Sequence, residues 1–437
     1  MLDSISPIDG RYRKYTEPLA EFFSEEAFMR YRIFMEERYL AELLKIIKKP
    51  SKRILELSKN FTSQDAKEIK KIEATTNHDF KAIEYWIKSK LPENIKEYVH
   101  FGLTSEDATN IAYALMIRDA LTKILIPKLE QILKTLRKLR GETSQYPMLA
   151  RTHGQPASPT TFGKEMAVFA TRLERQMKQL IPFKFTAKLN GATGNYNALA
   201  VAFPKINWIA FSKKFISSLG LEPSLITTQI NPYDNQVEFF DIMRRTNMIL
   251  IGLDQDLWRY ISDGWLKQKP VAEEVGSSTM PHKINPWFFE NSEGNLGAAN
   301  ALFGFFANKL PISRLQRDLS DSTVERSIGT AFGHSLIGYE YLLKALERID
   351  VDKIAMTQAL DDHSEVITEA IQTILRREGV PMPYEKLKDL TRGKSPTIAD
   401  LHAFVDSLDI DDRVKKEIHR ITPSTYIGLA DKIASHG

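Results

Sequence analysis

Apolar residues recur at three- and four-residue spacing along most of the chain. Between 239 and 257 the positions are Phe239, Ile242, Met243, Ile249, Leu250, Leu253 and Leu257, with Thr246 on the same stripe. That period is one face of an α-helix and predicts a long helix over 235–268. A second stripe, from Phe288 and Leu296 through Phe303, Phe306 and Leu310, predicts another over about 287–310, and a further helix follows over about 326–348. Upstream, the pattern predicts helices over 21–49, ended by Pro50, and over about 63–74 and 160–180. Residues 108–140 read as one long helix or as two meeting near Pro127. Strand-like alternation is scarce. The fold class is therefore all-α, with central helices of about 25–35 residues, roughly 40–50 Å long. Helices of that length expose apolar surface beyond what one chain's bundle covers, so association through a multi-helix core is expected.

Polar, glycine-containing stretches punctuate this pattern. Residues 1–20 read as an irregular arm on which Asp9-Gly10-Arg11-Tyr12 sets an arginine and a tyrosine. Thr75-Thr76-Asn77-His78-Asp79 precedes the run Phe80, Ile83, Ile87. Asn77 or Asp79 serves there as a helix cap, or His78 sits at a helix N-terminus that favours an anion. His100-Phe101-Gly102-Leu103-Thr104-Ser105-Glu106-Asp107 has the same two readings, a Thr104 or Ser105 cap with acids in the first turn, or donors offered to a carboxylate or phosphate. His153 lies in the polar turn 151–159, and alone it reads as a hydrogen-bonded structural histidine. Gly191-Ala192-Thr193-Gly194-Asn195-Tyr196 lacks the spacing and the preceding strand of a dinucleotide fold. Gly276-Ser277-Ser278-Thr279-Met280-Pro281-His282-Lys283-Ile284-Asn285-Pro286 disfavours helix. It reads equally as a helix–helix connector or as a mobile loop that surrounds a developing negative charge.

Composition narrows the chemistry. At 437 residues, 43% hydrophobic and 27% charged, the chain has the balance of a folded globular protein with a large core. It contains no cysteine, which excludes disulfides, thiolate zinc sites and a cysteine nucleophile. The nine histidines form no HxH or HxxxH pair, so no metal site is expected. A net charge of +4, from 60 basic and 56 acidic residues, gives little reason to expect nucleic acid as a partner. No apolar run approaches the length of a bilayer span, and the first residues have no signal-peptide pattern, so no membrane is expected either.

The 276–286 loop, the stretches 100–107, Arg151-Thr152-His153-Gly154-Gln155-Pro156 and Pro383-Tyr384-Glu385-Lys386-Leu387, and the N-terminal Ser4-to-Tyr12 segment together resemble the fumarase/aspartase superfamily. Within it the chain is similar to the adenylosuccinate lyase family, in its bacterial subgroup. The resemblance runs from about Asp3 to the C-terminus. Thr152-His153-Gly154-Gln155 favours this family, because fumarases, aspartases and argininosuccinate lyases tend toward Thr-His-Leu-Gln. Argininosuccinate lyase or fumarase is the alternative.

The resemblance implies a three-domain fumarase/aspartase-like fold whose long central helical bundle forms a tetrameric core. Its domains are 1–106, 107–352 with the catalytic loop 276–286, and a helical 353–437. It implies a cytoplasmic homotetramer with active sites shared between chains, and no cofactor. The implied reaction is β-elimination of fumarate from a succinyl-amine nucleotide of purine biosynthesis. Ser277 is the implied base and His153 the acid, Lys283 and Asn285 hold the charge that develops, and His78 and Glu290 complete the catalytic set, Glu290 by orienting a histidine. The implied substrate-binding residues are Arg11, Tyr12, Asn77, His78, Asp79, Thr104, Ser105, Gln229, Ser278, Lys283, Ile284, Asn285, Asn291, Arg317, Ser322, Thr323, Val324, Glu325 and Arg326. Two features depart from the family pattern: the bulky Trp287-Phe288 pair just after the loop, and Asn291 where some relatives carry arginine.

Overall fold

The computed structural model describes residues 2–49, 56–270, 279–280, 282–393 and 396–436. Pro50 and, from the signature loop, Gly276, Ser277, Ser278 and Pro281 lie outside the described residues. The chain divides into two compact units, each built from three stretches. The first comprises Met1–Leu129, Gln176–Met248 and Gly294–Glu340; the second comprises Glu130–Arg175, Ile249–Glu293 and Tyr341–Gly437. Every division falls inside a long helix: Ile126–Glu142, Phe162–Leu180, Asp234–Ser262, Trp287–Lys309 or Ile328–Arg348.

The stripes do form helices, with different ends. Asp234–Ser262 has 29 residues, within the expected range, but Trp287–Lys309 has 23 and Ile328–Arg348 has 21. The first stops short of 268 because Gly264 takes φ +76, a left-handed turn that ends helices. Leu266–Gln268 then pairs as a short antiparallel strand with Ile349–Val351. Near the N-terminus the expected 21–49 helix is split at Ser24, which is extended and accepts the Ala27 N–H as the N-cap of Glu25–Ile46. Between Ser105 and Glu142 the helix runs through a π turn at Leu121–Leu125. Pro127 follows at once; it has no N–H for the carbonyl four residues back, so the wider turn sits where the regular ladder would break.

In the first unit the stripes meet as an aromatic core. The Phe240 and Phe303 rings stack at 5.6 Å, and Phe239 lies 6.0 Å from Phe332. All four are fully buried, and each such side chain contributes about 1.5–3 kcal/mol of transfer free energy. Thr246 is tolerated on the stripe because its hydroxyl donates to the Ile242 carbonyl at 2.9 Å. The next residue, buried Asn247, donates to Asn300 and Ser335 and accepts from Tyr339 at 2.7 Å, which fixes the register of three helices. In the second unit, residues beyond 353 form short helices, among them Lys353–Asp361, Thr368–Arg377 and Ile398–Asp406, around fully buried Leu360, Ile371, Leu401 and Val405. A candidate functional residue also sits at the turn of the hairpin Pro147–Thr152 with Gln155–Thr161, where a polar turn was expected.

Candidate active site

In the first unit, helix ends carry the candidate residues. Asn77 closes Ser63–Thr76 with φ +51, and His78 is the N-cap of Asp79–Ser89. The cap is therefore His78, not Asn77 or Asp79. Its Nδ1 accepts the Lys81 N–H at 3.1 Å, so in the neutral ring Nε2 carries the proton and points a donor outward. Asp79 opens the helix and binds two arginines, Arg32 at 2.9 Å and Arg326 at 3.2 Å. Burial opposes its charge, but Arg32 outweighs that penalty, with Arg326 helping, and holds the carboxyl at about 2. Arg32 is buried, donates to Thr109 at 3.1 Å and lies 3.7 Å over the Phe28 ring. Arg326 is exposed and caps the short helix Ser320–Glu325. Ser322, Thr323, Val324 and Glu325 lie on that helix; Thr323 faces solvent, whereas Val324 and Glu325 point inward.

Thr104 is the N-cap of Ser105–Ala120, and its N–H donates to Asp107 at 2.9 Å. Asp107 is fully buried yet well satisfied, because Asn190 N–H and Lys188 Nζ both reach it at 3.0 Å and Gly191 N–H at 3.1 Å. Lys188 is itself fully buried and also donates to the Gly191 carbonyl at 2.8 Å. The glycine-rich segment thus serves to wrap Asp107, which requires Gly191 at φ +83. Next to it, Gln229 donates to the Ala192 carbonyl at 3.0 Å and accepts from Arg317 Nη1 at 3.4 Å. Arg317 also meets Glu106 at 3.2 Å and Asp321 at 3.3 Å. His100 belongs to the framework: its ring and its N–H both bind Glu36, at 2.7 and 3.0 Å. Burial presses that ring toward neutrality, but the Glu36 charge outweighs it and raises the pKa. Arg11 and Tyr12 sit on the arm, the guanidinium 6.0 Å from its neighbour's ring.

In the second unit, His153 and Gly154 are the two central residues of the hairpin turn, with Thr152 opposite Gln155. Their φ values are +53 and +76, the pair of positive angles a type I′ turn demands. His153 is exposed at the tip. On the same strand as Gln155, the Ser158 hydroxyl donates to Glu369, which also accepts from Tyr426 at 2.9 Å. Lys283, Ile284 and Asn285 lead into Trp287–Lys309, and the Ile284 carbonyl accepts from Gln268 at 2.8 Å. Glu290 closes the first turn of that helix and Asn291 follows it. Glu290 accepts the Trp258 indole N–H at 3.0 Å. The unexpected aromatics pack at the helix start: Trp287 and Phe288 each lie 5.7 Å from Tyr341, and Arg348 covers Phe288 at 4.3 Å.

Sequence reasoning missed Arg32 and Trp258, which hold the candidates Asp79 and Glu290, and Lys188, which holds Asp107 beneath the Thr104 cap; none of the three belongs to a motif. Glu106 and Asp107 were visible, but as first-turn acids of a helix. Cavity size alone does not find the site. A cavity of about 540 Å³ in the second unit, lined by Thr368, Glu369, Tyr384, Lys388 and Arg392 among others, contains none of the candidate residues. Two smaller ones in the first unit, about 210 and 270 Å³, both adjoin Arg326.

Two family models match the chain: a lyase model over residues 10–302 and an adenylosuccinate lyase C-terminal model over 313–427. The chain is 49% identical to an adenylosuccinate lyase of Dictyostelium discoideum over 98% of its length and 97% of the relative. It is 44% identical to an adenylosuccinate lyase of Escherichia coli K12 over 98% and 97%. Among solved structures, a fumarate lyase from Mesorhizobium sp. BNC1 superimposes with a TM-score of 0.79 at 17% identity, covering 96% of each chain. A 3-carboxy-cis,cis-muconate lactonizing enzyme from Pseudomonas putida gives 0.76 at 21%, covering 97% of each. Those two likenesses speak for the all-α fold alone, and the sequence matches are closer: the chain belongs to the adenylosuccinate lyase family of the fumarase/aspartase superfamily.

Proposed function

We propose that this chain releases fumarate from adenylosuccinate, giving AMP, and from succinylaminoimidazole carboxamide ribotide by the same step. The observation that carries the reading is the donor set of the first unit. Arg317 and Arg326 are held by carboxylates, and His78 presents a donor at a helix N-terminus. Such a set suits a substrate with a phosphate and two carboxylates. The identity of the substrate is supported by whole-chain relatives named adenylosuccinate lyase.

In the proposed reaction Ser277 removes a proton from the carbon beside a carboxylate. The electron pair spreads into that carboxylate, the carbon–nitrogen bond breaks, and His153 protonates the departing nitrogen. Serine is a weak base, so its alkoxide needs fixed donors and a nearby cation in a site closed to water. Lys283 supplies the cation, and Lys283 with Asn285 holds the charge that grows on the carboxylate. Asn77, Thr104, Ser105, Gln229, Ser278 and Asn291 supply further polar contacts. The enzyme works as a cytoplasmic homotetramer with sites shared between chains, and its domains divide at 106 and 352. No described helix is long and apolar enough to cross a membrane.

Purified protein is expected to consume adenylosuccinate, followed by ultraviolet absorbance, and to leave argininosuccinate and malate untouched; the reverse pattern refutes the assignment. Mixing inactive Ser277→Ala and His153→Ala chains is expected to restore part of the activity. Failure to do so despite demonstrated subunit exchange would count against shared sites.

A further inference from the structure

Beneath Arg317 lies a buried cluster whose charges do not balance. Glu106, Asp107, Asp321 and Glu325 are all at most 3% exposed. The cations among them are Lys188, fully buried, and Arg317, with 15% of its side chain exposed. The groups acting on the Glu106 carboxyl are Arg317, Asp321, Lys188 and its neighbour Asp107. Glu325 acts on it in turn from Ser320–Glu325, and Tyr113 and Tyr233 both interact with Glu106 and Glu325. Arg32 and Arg326 act on Tyr113 from outside, with their charge bridged by Asp79.

Donor supply decides which acids hold charge. Asp107 has Lys188 and three backbone N–H groups. Asp321 has Arg317 on two nitrogens, the Ser322 N–H at 2.6 Å and the Tyr233 hydroxyl at 3.4 Å. Those two acids use up both cations. Glu325 and Glu106 each keep one oxygen buried without a hydrogen-bond partner, and the Arg317 nitrogen 3.2 Å from Glu106, Nη2, is the one that also donates to Asp321. Ionising either glutamate adds an uncompensated buried charge, which is strongly unfavourable. Burial first, and the neighbouring acids second, push both carboxyls up.

We infer that Glu106 is a positioning residue that keeps its proton while substrate is bound, supporting Arg317 from below without competing for its charge. With Glu106 neutral, Asp321 is the one carboxylate of the pair that Arg317 has to balance, and the anionic end of the substrate beside Gln229 competes with that one alone. If Glu106 ionises, a second negative charge beside Asp321 sits 3.2 Å from the guanidinium, and anion binding weakens. By linkage, binding an anion takes up a proton wherever free enzyme has begun to lose it. The inference rests on the reading of Arg317 as a substrate-binding residue.

The test is the pH dependence of KM for adenylosuccinate and of AMP binding in wild type and Glu106→Gln, whose amide copies the protonated acid. Wild-type KM is expected to rise on the alkaline side of about pH 7–9.5, approaching tenfold per pH unit, whereas Glu106→Gln stays within about twofold. Calorimetry of AMP binding in two buffers of different ionisation enthalpy is expected to show proton uptake by wild type in that range and none by the variant. A flat wild-type profile, or the same rise in Glu106→Gln, overturns the inference. If Glu106→Gln does not fold, Glu325→Gln carries the test. Without its acidic neighbour Glu106 ionises more easily, so the KM rise is expected to move to lower pH, and an unmoved rise is the contrary result. Loss of activity toward adenylosuccinate in wild type at every pH would instead sink the underlying functional reading.

Discussion

The two units present their candidate residues in opposite ways. In the first unit Arg317 is enclosed: Gln229, Glu106 and Asp321 touch it, and Lys188 and Asp107 brace the next layer. In the second unit His153 stands exposed at the tip of a two-residue turn. A group that must bind an anion gains from a fixed orientation, because the cost of ordering it is met during folding. A group that must deliver a proton to a departing nitrogen has to reach the substrate, and a turn on a paired hairpin gives it access with a firm base. Under the proposed roles, the enclosed Arg317 suits binding and the exposed His153 suits proton transfer.

The largest effects are expected at the chemical residues. Ser277→Ala and His153→Ala should each lower kcat by about 10²–10⁴-fold, the usual contribution of a positioned acid or base, with KM changed little. A normal kcat in either variant would remove that residue from its role. Lys188→Met tests the other side of the contrast. It leaves Asp107 buried without its cation, which should cost about 3–5 kcal/mol in a denaturant titration. An unchanged midpoint would mean that the brace under the binding wall carries no load.

A smaller effect is expected at the turn. An added Cβ at Gly154 meets nothing within 4 Å, so Gly154→Ala pays only for its positive φ, about 1–2 kcal/mol. Because the strain sits beside His153, kcat should fall severalfold while KM holds. A raised KM with normal kcat would place the turn in binding instead. The smallest effect is expected in acid. Asp79 has a lowered pKa in the folded chain, so the stability it adds is present above its ordinary value near 3.8 and is lost as pH falls toward about 2. Asp79→Asn should flatten that part of an acid-unfolding curve; an identical curve would show that the two arginines gain nothing from the bridge.

Much of this was legible in the sequence, for identifiable reasons. Periodicity located the helices because burial of a stripe decides helix formation, as at Phe239 to Leu257. It placed their ends less well, because ends depend on single residues such as Ser24 and Gly264. The hairpin at His153 was missed because His-Gly is a rare form of the I′ turn signal and the flanking strands contain three prolines and three threonines with little apolar alternation. The candidate motifs were visible as clusters of polar residues. Their supports were not: Lys188 and Arg32 lie 81 and 47 residues from Asp107 and Asp79 in the chain, and only the fold makes them neighbours.

The most direct test of the division between binding and proton transfer compares His153→Ala with Arg317→Met in one pair of measurements, AMP affinity by calorimetry and single-turnover cleavage of adenylosuccinate at saturation. His153→Ala is expected to bind AMP like wild type and to cleave at least about 10²-fold more slowly. Arg317→Met is expected to bind at least about 30-fold more weakly, the loss of about 2 kcal/mol from a truncated charge pair, and to cleave within about tenfold of wild type once saturated. If His153→Ala lost affinity as Arg317→Met does, or if Arg317→Met bound normally and failed in the chemical step, the assignment would be contradicted.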